Sequence, residues 1–256
     1  NYHLMVVGSS GSGKTFTSCN ILTDWFCSRV PAVIIDVKRS YKKLVDTLGG
    51  KYITFDGSQR INPFYTKEEF QKLDSLDEVS GSSPVVAILI KIATERGAEG
   101  KIDGVNDLER HLLECSVSDV YGKLQTGRPR LGDFIVSLKD RRETDQQALN
   151  HPAYERLIQY LENWTEGVNK DLFETDEGFD LDSPLSAFDI SSLDPKTALG
   201  RVGFQLVFAS AWLRVITHPG PAMLYLEECW KHFLTPYGIS MMEELLRAGR
   251  GQNVGL

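Results

Sequence analysis

Thiols are scarce in this chain. Its 256 residues include four cysteines, Cys19, Cys27, Cys115 and Cys229, and no two of them form a C-x-x-C pair. That argues against a zinc site and for a reduced compartment. The five histidines, His3, His111, His151, His218 and His232, lack ligand spacing as well, so no metal centre built on them is expected. Positive charge is in deficit: 28 Lys and Arg stand against 35 Asp and Glu, giving a net charge of −7 and a pI near 5.3. General attraction to a nucleic-acid backbone is therefore not expected, although a local basic patch is invisible in such a sum. No apolar run reads as long enough to span a bilayer, and no secretory signal is seen. There is no repeat at solenoid periods. Ser9, Ser10 and Ser12 read as loop residues, with no base placed to activate a nucleophile.

What is present is an ordinary globular composition. Hydrophobic residues make up 41% and charged residues 25%, enough for one large core or a core with a sizeable insertion. Trp25, Trp164, Trp212 and Trp230 read as core rather than as base-stacking platforms. The chain begins on a strand-like run and ends inside another apolar stretch, so a fragment of a longer protein is expected.

The stretch "GSSGSGKT", Gly8 to Thr15, carries the first chemistry. Before it, "HLMVV" has the apolar, β-branched character of a buried parallel strand. After it, "KTFTSCNILTDWFCSRV" reads as a helix. Strand, G-x-x-x-x-G-K-[ST] and helix together make a phosphate-binding loop. Gly8, Gly11 and Gly13 allow the backbone to turn its N–H groups inward, with Ser9, Ser10 and Ser12 between them. The helix N-terminus adds partial positive charge, and Phe16 follows at its start. Lys14 is the cation for the β- and γ-phosphates, and Thr15 offers a hydroxyl to Mg²⁺.

Two further strands are expected at 31–38 and 51–56, joined by an amphipathic helix with Tyr41, Leu44, Val45 and Leu48 on one face and Gly49 and Gly50 at its end. Strands linked by helical crossovers indicate an α/β fold with a parallel sheet. From 66 to about 178 the pattern becomes helical, with loops at 78–84 and 95–107, and reads as an insertion. The sheet resumes with a strand at 185–193. Asp194 is expected to cap a long, largely buried apolar helix, with Pro195 in its first turn. A strand at 222–228, a helix over 239–252 and a last strand from 253 complete the reading. The domain boundaries expected are a nucleotide-binding core at 1–64 and 185–256 and a helical subdomain at 65–184.

A phosphate loop needs a partner acid at the end of another strand. "MLYLEE" supplies two: Glu227 in the metal-organising position, where Asp is usual, and Glu228 in the position of the catalytic carboxylate. The same two acids would also suit the start of a helix. Arg247 and Arg250 precede the last strand. Arg250, next to Gly251, is the better candidate to reach a neighbouring subunit's γ-phosphate, while the dipole of a helix end would favour either.

These residues together carry a resemblance. "GSSGSGKT", "VIIDVKRSYKKLVDTLGGKYITFDGSQRINPF", "LENWTEGVNKDLFE", "FDISSL", "LYLEECWKHF" and "LRAGRGQN" occur in order. The set is similar to the C-terminal ATPase domain of the VirB/TraC/TrbE group of type IV secretion and conjugation systems. "LYLEECW" resembles the family's Asp-Glu-Ala-Trp signature, with Glu227 and Cys229 replacing Asp and Ala; Ser40 stands where the family often has Glu. The resemblance implies a RecA-like fold with a helical subdomain, ATP and Mg²⁺ as cofactors, and hydrolysis. It further implies a homo-oligomer, a hexamer, on the cytoplasmic face of the bacterial inner membrane, other secretion-system subunits as partners, and an N-terminal domain outside this chain. Such a motor powers pilus biogenesis and substrate transfer. Two alternatives remain open at this point: a DNA translocase or coupling protein, which the charge does not support, and a nucleotide-binding subunit without turnover.

Overall fold

The computed structural model describes residues 3–9, 11–55, 60–74, 82–94, 104–147, 151–166, 170–173, 175–179, 181–229 and 254–255. Its elements in chain order are α1 (Lys14–Cys27), β1 (Ala32–Asp36), α2 (Lys42–Thr47), β2 (Lys51–Thr54), α3 (Lys67–Asp74), α4 (Ser82–Thr94), α5 (Asp107–Lys123), α6 (Leu131–Thr144), α7 (His151–Glu166), β3 (Leu185–Asp189), α8 (Ala198–Ile216), β4 (Ala222–Leu226) and β5 (Val254–Gly255), with a 3-10 turn at Lys170–Leu172. The five strands form one sheet in the order β2-β3-β1-β4-β5, and every pairing is parallel.

All five residues of β1 and of β3 are buried, which suits strands covered on both faces. One face packs on α1 and α2. Leu22, Ile34, Tyr41, Val45, Ala187 and Met223 form a cluster there, with Leu44, Leu48 and Trp25 packed at its margin. Burial of each large apolar side chain in such a cluster is worth roughly 1.5–3 kcal/mol. The register brings the carboxyl ends of the central strands level. Asp36 lies opposite Asp189, and Ile35 opposite Leu226. One further ladder bond, Glu227 N–H to the Ile35 carbonyl at 3.1 Å, ends β4.

The chain divides into two compact units. The first holds Asn1–Asp56, Asp180–Pro195 and Val207–Leu256; the second holds Gly57–Phe179 with Lys196–Leu206. The first half of α8 thus counts with the helices, whereas the sequence reading groups it with the sheet. In the second unit α4, α5, α6 and α7 pack on one another. The Trp164 indole is core, donating to the Ile92 carbonyl at 2.9 Å and meeting the Phe173 ring edge-on. Glu109, almost fully buried, closes a capping box with Asn106 at the start of α5 and is paired with Arg156 of α7.

Several sequence expectations need correction. Residues 3–7 form no strand: Leu4, Met5 and Val7 are exposed, and the segment adds to neither edge of the described sheet. A β-rich composition becomes a strand only where an edge supplies the ladder, and the edge beyond β4 is the two-residue β5. The strands expected at 31–38, 51–56, 185–193 and 222–228 end at Asp36, Thr54, Asp189 and Leu226. Helix α4 begins inside the stretch expected as a loop. Helix α8 starts at Ala198, so Asp194 does not cap it; the Thr197 hydroxyl does, accepting from Gly200 N–H at 3.0 Å. By length and composition α8 is also apolar enough to cross a membrane, contrary to the reading of the sequence, yet most of it is buried within the protein. The helix expected over 239–252 lies outside the described residues.

Candidate nucleotide-binding site

The site is built where α1 begins and where β1 and β4 end. Gly11 and Gly13 hold φ at +78° and +84°, in the left-handed region that a side chain disfavours. Gly8 is pressed differently: a Cβ there would come within 2.5 Å of the Ser12 hydroxyl. Gly13 is the N-cap of α1 and offers no side chain to its first N–H groups. Those groups remain available to an anion, and the helix dipole favours one. The Lys14 ammonium folds back over the loop and donates to the carbonyls of Gly8 and Ser9, each at 2.8 Å.

Gly11, Gly13, Lys14, Thr15 and Phe16 line a cleft of about 420 Å³ together with Glu227 and Glu228. The structure therefore brings together most of the residues singled out from the sequence. Gly8, Ser9 and Ser12 shape the loop beside that cleft. Ser10, Arg247 and Arg250 lie outside the described residues.

The two acids sit differently. Glu228 has φ +46°, an uncommon conformation for a residue with a Cβ, and its carboxylate pairs with the Lys38 ammonium at 2.5 Å. Glu228 and the hydrogen bond it accepts hold the Lys38 amine above its ordinary value. Glu227 is half-buried, and its Oε2 has no hydrogen-bond partner among the described residues. Burial first, then the neighbouring Asp36 carboxylate, pushes the Glu227 carboxyl up to about 7, while a hydrogen bond from Ser40 works the other way.

Asp36 is a further carboxylate at this end of the sheet, and it is fully buried. Its Oδ1 accepts from the backbone N–H groups of Lys38 and Ser40, both at 3.0 Å. Its Oδ2 accepts from Tyr41 N–H at 2.9 Å and the Tyr52 hydroxyl at 3.0 Å. It thereby fixes the turn after β1. Beside it the Arg39 guanidinium bonds the buried Asp189 at 2.7 Å. A chain of hydroxyls crosses the floor of the cleft: Tyr41 donates to Tyr225 at 2.8 Å, and Tyr225 to Ser18 at 2.7 Å. Cys229 is buried behind the two acids, with its thiol on the Glu227 carbonyl at 3.3 Å, and burial raises it well above the usual thiol range.

Sequence reasoning missed Lys38, Ser18 and Tyr225 as parts of this cleft. A local signal exists for the first: an Asp ending a strand with polar residues two and four positions on is an Asx-turn pattern, which would have placed residues 37–41 at the carboxyl end of the sheet. Ser18 and Tyr225 meet only through tertiary packing across 207 positions, and nothing local announces them.

The donor set suits a nucleotide with Mg²⁺. Thr15 and Glu227 line one cleft, the Glu227 carboxyl keeps one buried oxygen without a partner, and among the described residues no cluster of three His, Cys, Asp or Glu offers an all-protein cage. Mg²⁺ characteristically takes one or two protein oxygens and completes its shell with water and phosphate.

Comparison with known proteins follows the same lines. A family model described as the TraG P-loop domain matches residues 1–96. Protein TraC of Escherichia coli (strain K12) is 27% identical over 205 residues, which are 78% of this chain and 22% of TraC; the chain spans about a fifth of that relative's length. The structure of VirB4 of Thermoanaerobacter pseudethanolicus superposes with a TM-score of 0.69 at 20% identity, covering 97% of this chain and 67% of that one. At that identity the likeness is one of fold, an α/β arrangement with a parallel sheet.

Proposed function

We propose that this chain, which belongs to the VirB4/TraC type of P-loop ATPase domain, binds Mg²⁺ and ATP in the cleft between α1 and β4 and hydrolyses the γ-phosphate. One observation carries the reading: the phosphate-loop residues Gly11, Gly13, Lys14 and Thr15 line the same cleft as Glu227 and Glu228.

The roles follow from the geometry. The N–H groups at the start of α1 receive phosphate oxygens. Lys14 exchanges its two carbonyl partners for oxygens of the β- and γ-phosphates. Thr15 and Glu227 hold Mg²⁺, which would supply charge neutralisation along the phosphate tail. Glu228 accepts the proton of the attacking water as that water's oxygen bonds to the γ-phosphorus and the bond to the bridging oxygen breaks. The products are ADP and phosphate. Phe16, largely exposed at the mouth of the cleft, contacts the nucleoside.

On the family reading, the parent protein works as a homo-oligomer, a hexamer, on the cytoplasmic side of the bacterial inner membrane. There it powers pilus biogenesis and substrate transfer together with other secretion-system subunits. Arg250 is assigned the task of completing a neighbour's site in trans. The net charge of −7 weighs against a DNA translocase. The half-buried Glu227, one methylene longer than the usual Asp, favours a second reading in which nucleotide is bound without turnover.

Steady-state ATP hydrolysis by the full-length protein over a range of concentrations separates these readings. Turnover that rises with concentration and is abolished by Lys14→Ala, Glu228→Gln and Arg250→Ala supports the motor. Turnover equal to that of Lys14→Ala, with nucleotide still bound, supports the non-hydrolysing subunit. Steeply salt-dependent DNA binding would favour the translocase.

A further inference from the structure

Among the described residues lining the cleft, Lys38 and Glu228 form an ion pair, and the hydrolytic scheme above gives Lys38 no task. Both of its stems are fixed. Lys38 leaves β1 in the turn that Asp36 ties down, its own N–H on Asp36 Oδ1 at 3.0 Å. Glu228 follows the last ladder bond of β4 to β1, and the buried Cys229 anchors the next position. Between those anchors Glu228 adopts φ +46°. An extended residue in continuation of β4 would point its side chain to one face of the sheet; with the left-handed turn, Glu228 lines the cleft that Lys38 also lines. A carboxylate on such a turn has several rotamers within reach. The ammonium at 2.5 Å selects one of them. An exposed pair of this kind adds little to stability. A base must instead stand within hydrogen-bond reach of its proton, and small misplacements are costly in rate.

We infer that Lys38 is a positioning residue for Glu228, holding the carboxylate on the cleft wall where it meets the attacking water. The inference rests on the hydrolytic reading proposed above. Lys38 acts through Glu228 rather than on the nucleotide, so its removal should change turnover and leave nucleotide affinity nearly untouched.

The test uses the full-length protein with Lys38→Met, Lys38→Arg, Glu228→Gln and the double variant Lys38→Met/Glu228→Gln, with Lys14→Ala as baseline. Lys38→Met is expected to lower kcat at least about tenfold and to leave KM for ATP within about twofold, the pattern of an interaction made only in the transition state. Lys38→Arg should recover most of the rate, since it keeps the charge. In the double variant, adding Lys38→Met should cost nothing beyond Glu228→Gln, because one residue acts through the other. Binding of a fluorescent ATP analogue, unchanged in Lys38→Met, shows that the variant is folded. Wild-type turnover that Lys38→Met leaves unaltered overturns this inference alone. So does a raised KM with kcat intact, which would make Lys38 a phosphate contact, and so does faster turnover, which would make the pair a restraint. Wild-type turnover no higher than that of Lys14→Ala overturns the hydrolytic reading and this inference with it.

Discussion

Glu227 stands half-buried at the end of β4, with one oxygen partnerless and the Asp36 carboxylate beside it. Its carboxyl rises from an ordinary 4.5 to about 7 in the fold, so the folded state holds that proton more tightly than the unfolded chain does. The stability this gives is fully present below about pH 4.5 and is lost as pH climbs through about 7. Thermal melts of the nucleotide-free protein should therefore show Tm falling over that window relative to Glu227→Gln, with the two curves parallel outside it. Parallel curves throughout would show that Glu227 does not carry a raised pKa. Mg²⁺ requires the ionised carboxylate, so its binding should strengthen over the same window. Asp36, beside it, is held by geometry: its carboxylate accepts from four donors. Asp36→Ala strands three backbone N–H groups and a tyrosine hydroxyl, and it should cost about 3–5 kcal/mol in urea unfolding.

The starts of α5 and α8 are set by side chains that the sequence displays, but not always by the ones it displays most plainly. Asp194-Pro195 looks like a helix start, yet the chain turns on for two more residues and Thr197 takes the capping bond to α8. Thr197→Ala should destabilise by about 1 kcal/mol, measured as a shift in denaturation midpoint. In the helical unit the stakes are higher. Arg156 faces Glu109, which is 1% exposed. Arg156→Ala leaves that charge buried and should cost about 3–5 kcal/mol, whereas Arg142→Ala, at a half-exposed pair with Glu155, should cost under about 1 kcal/mol.

The same contrast explains what was legible. The runs "AVIID", "LSAFD" and "AMLYL" announce buried parallel strands because burial on both faces leaves almost no polar residue in them. The amphipathic periods of α1, α2 and α7 announce themselves by their one apolar face. The phosphate loop is legible because its chemistry is contiguous: glycines, Lys14 and Thr15 lie within eight residues. Residues 3–7 mislead because their β-rich composition says nothing about whether a neighbouring edge exists to pair with. Helix α8 misleads in another way, since a core helix and a membrane span are alike in composition and differ only in what surrounds them. The Tyr41–Tyr225–Ser18 relay and the Lys38–Glu228 pair join residues from separate elements, and only the register of β1 with β4 brings them together.

Taken whole, the molecule has two compact units, and the cleft lined by the phosphate loop and the two acids lies wholly within the sheet unit. Cations and carboxylates alternate across it: Lys14 over the loop, Glu227 and Glu228 at the end of β4, and Lys38 on the turn after β1. The surplus of acid over base over the whole chain, seven charges, weighs against general attraction to a polyanion. On the proposed reading, nucleotide recognition is local, made by one loop and one helix end. The most direct measurement is a single-turnover experiment with Mg²⁺ and ATP on the wild type and on Glu228→Gln, with nucleotide binding followed in the same samples. Equal binding with hydrolysis at least about a hundredfold slower in Glu228→Gln is the result expected of a base that acts only in the transition state. Equal rates in the two proteins would contradict the account, because the acid that the cleft presents would then have no part in the chemistry.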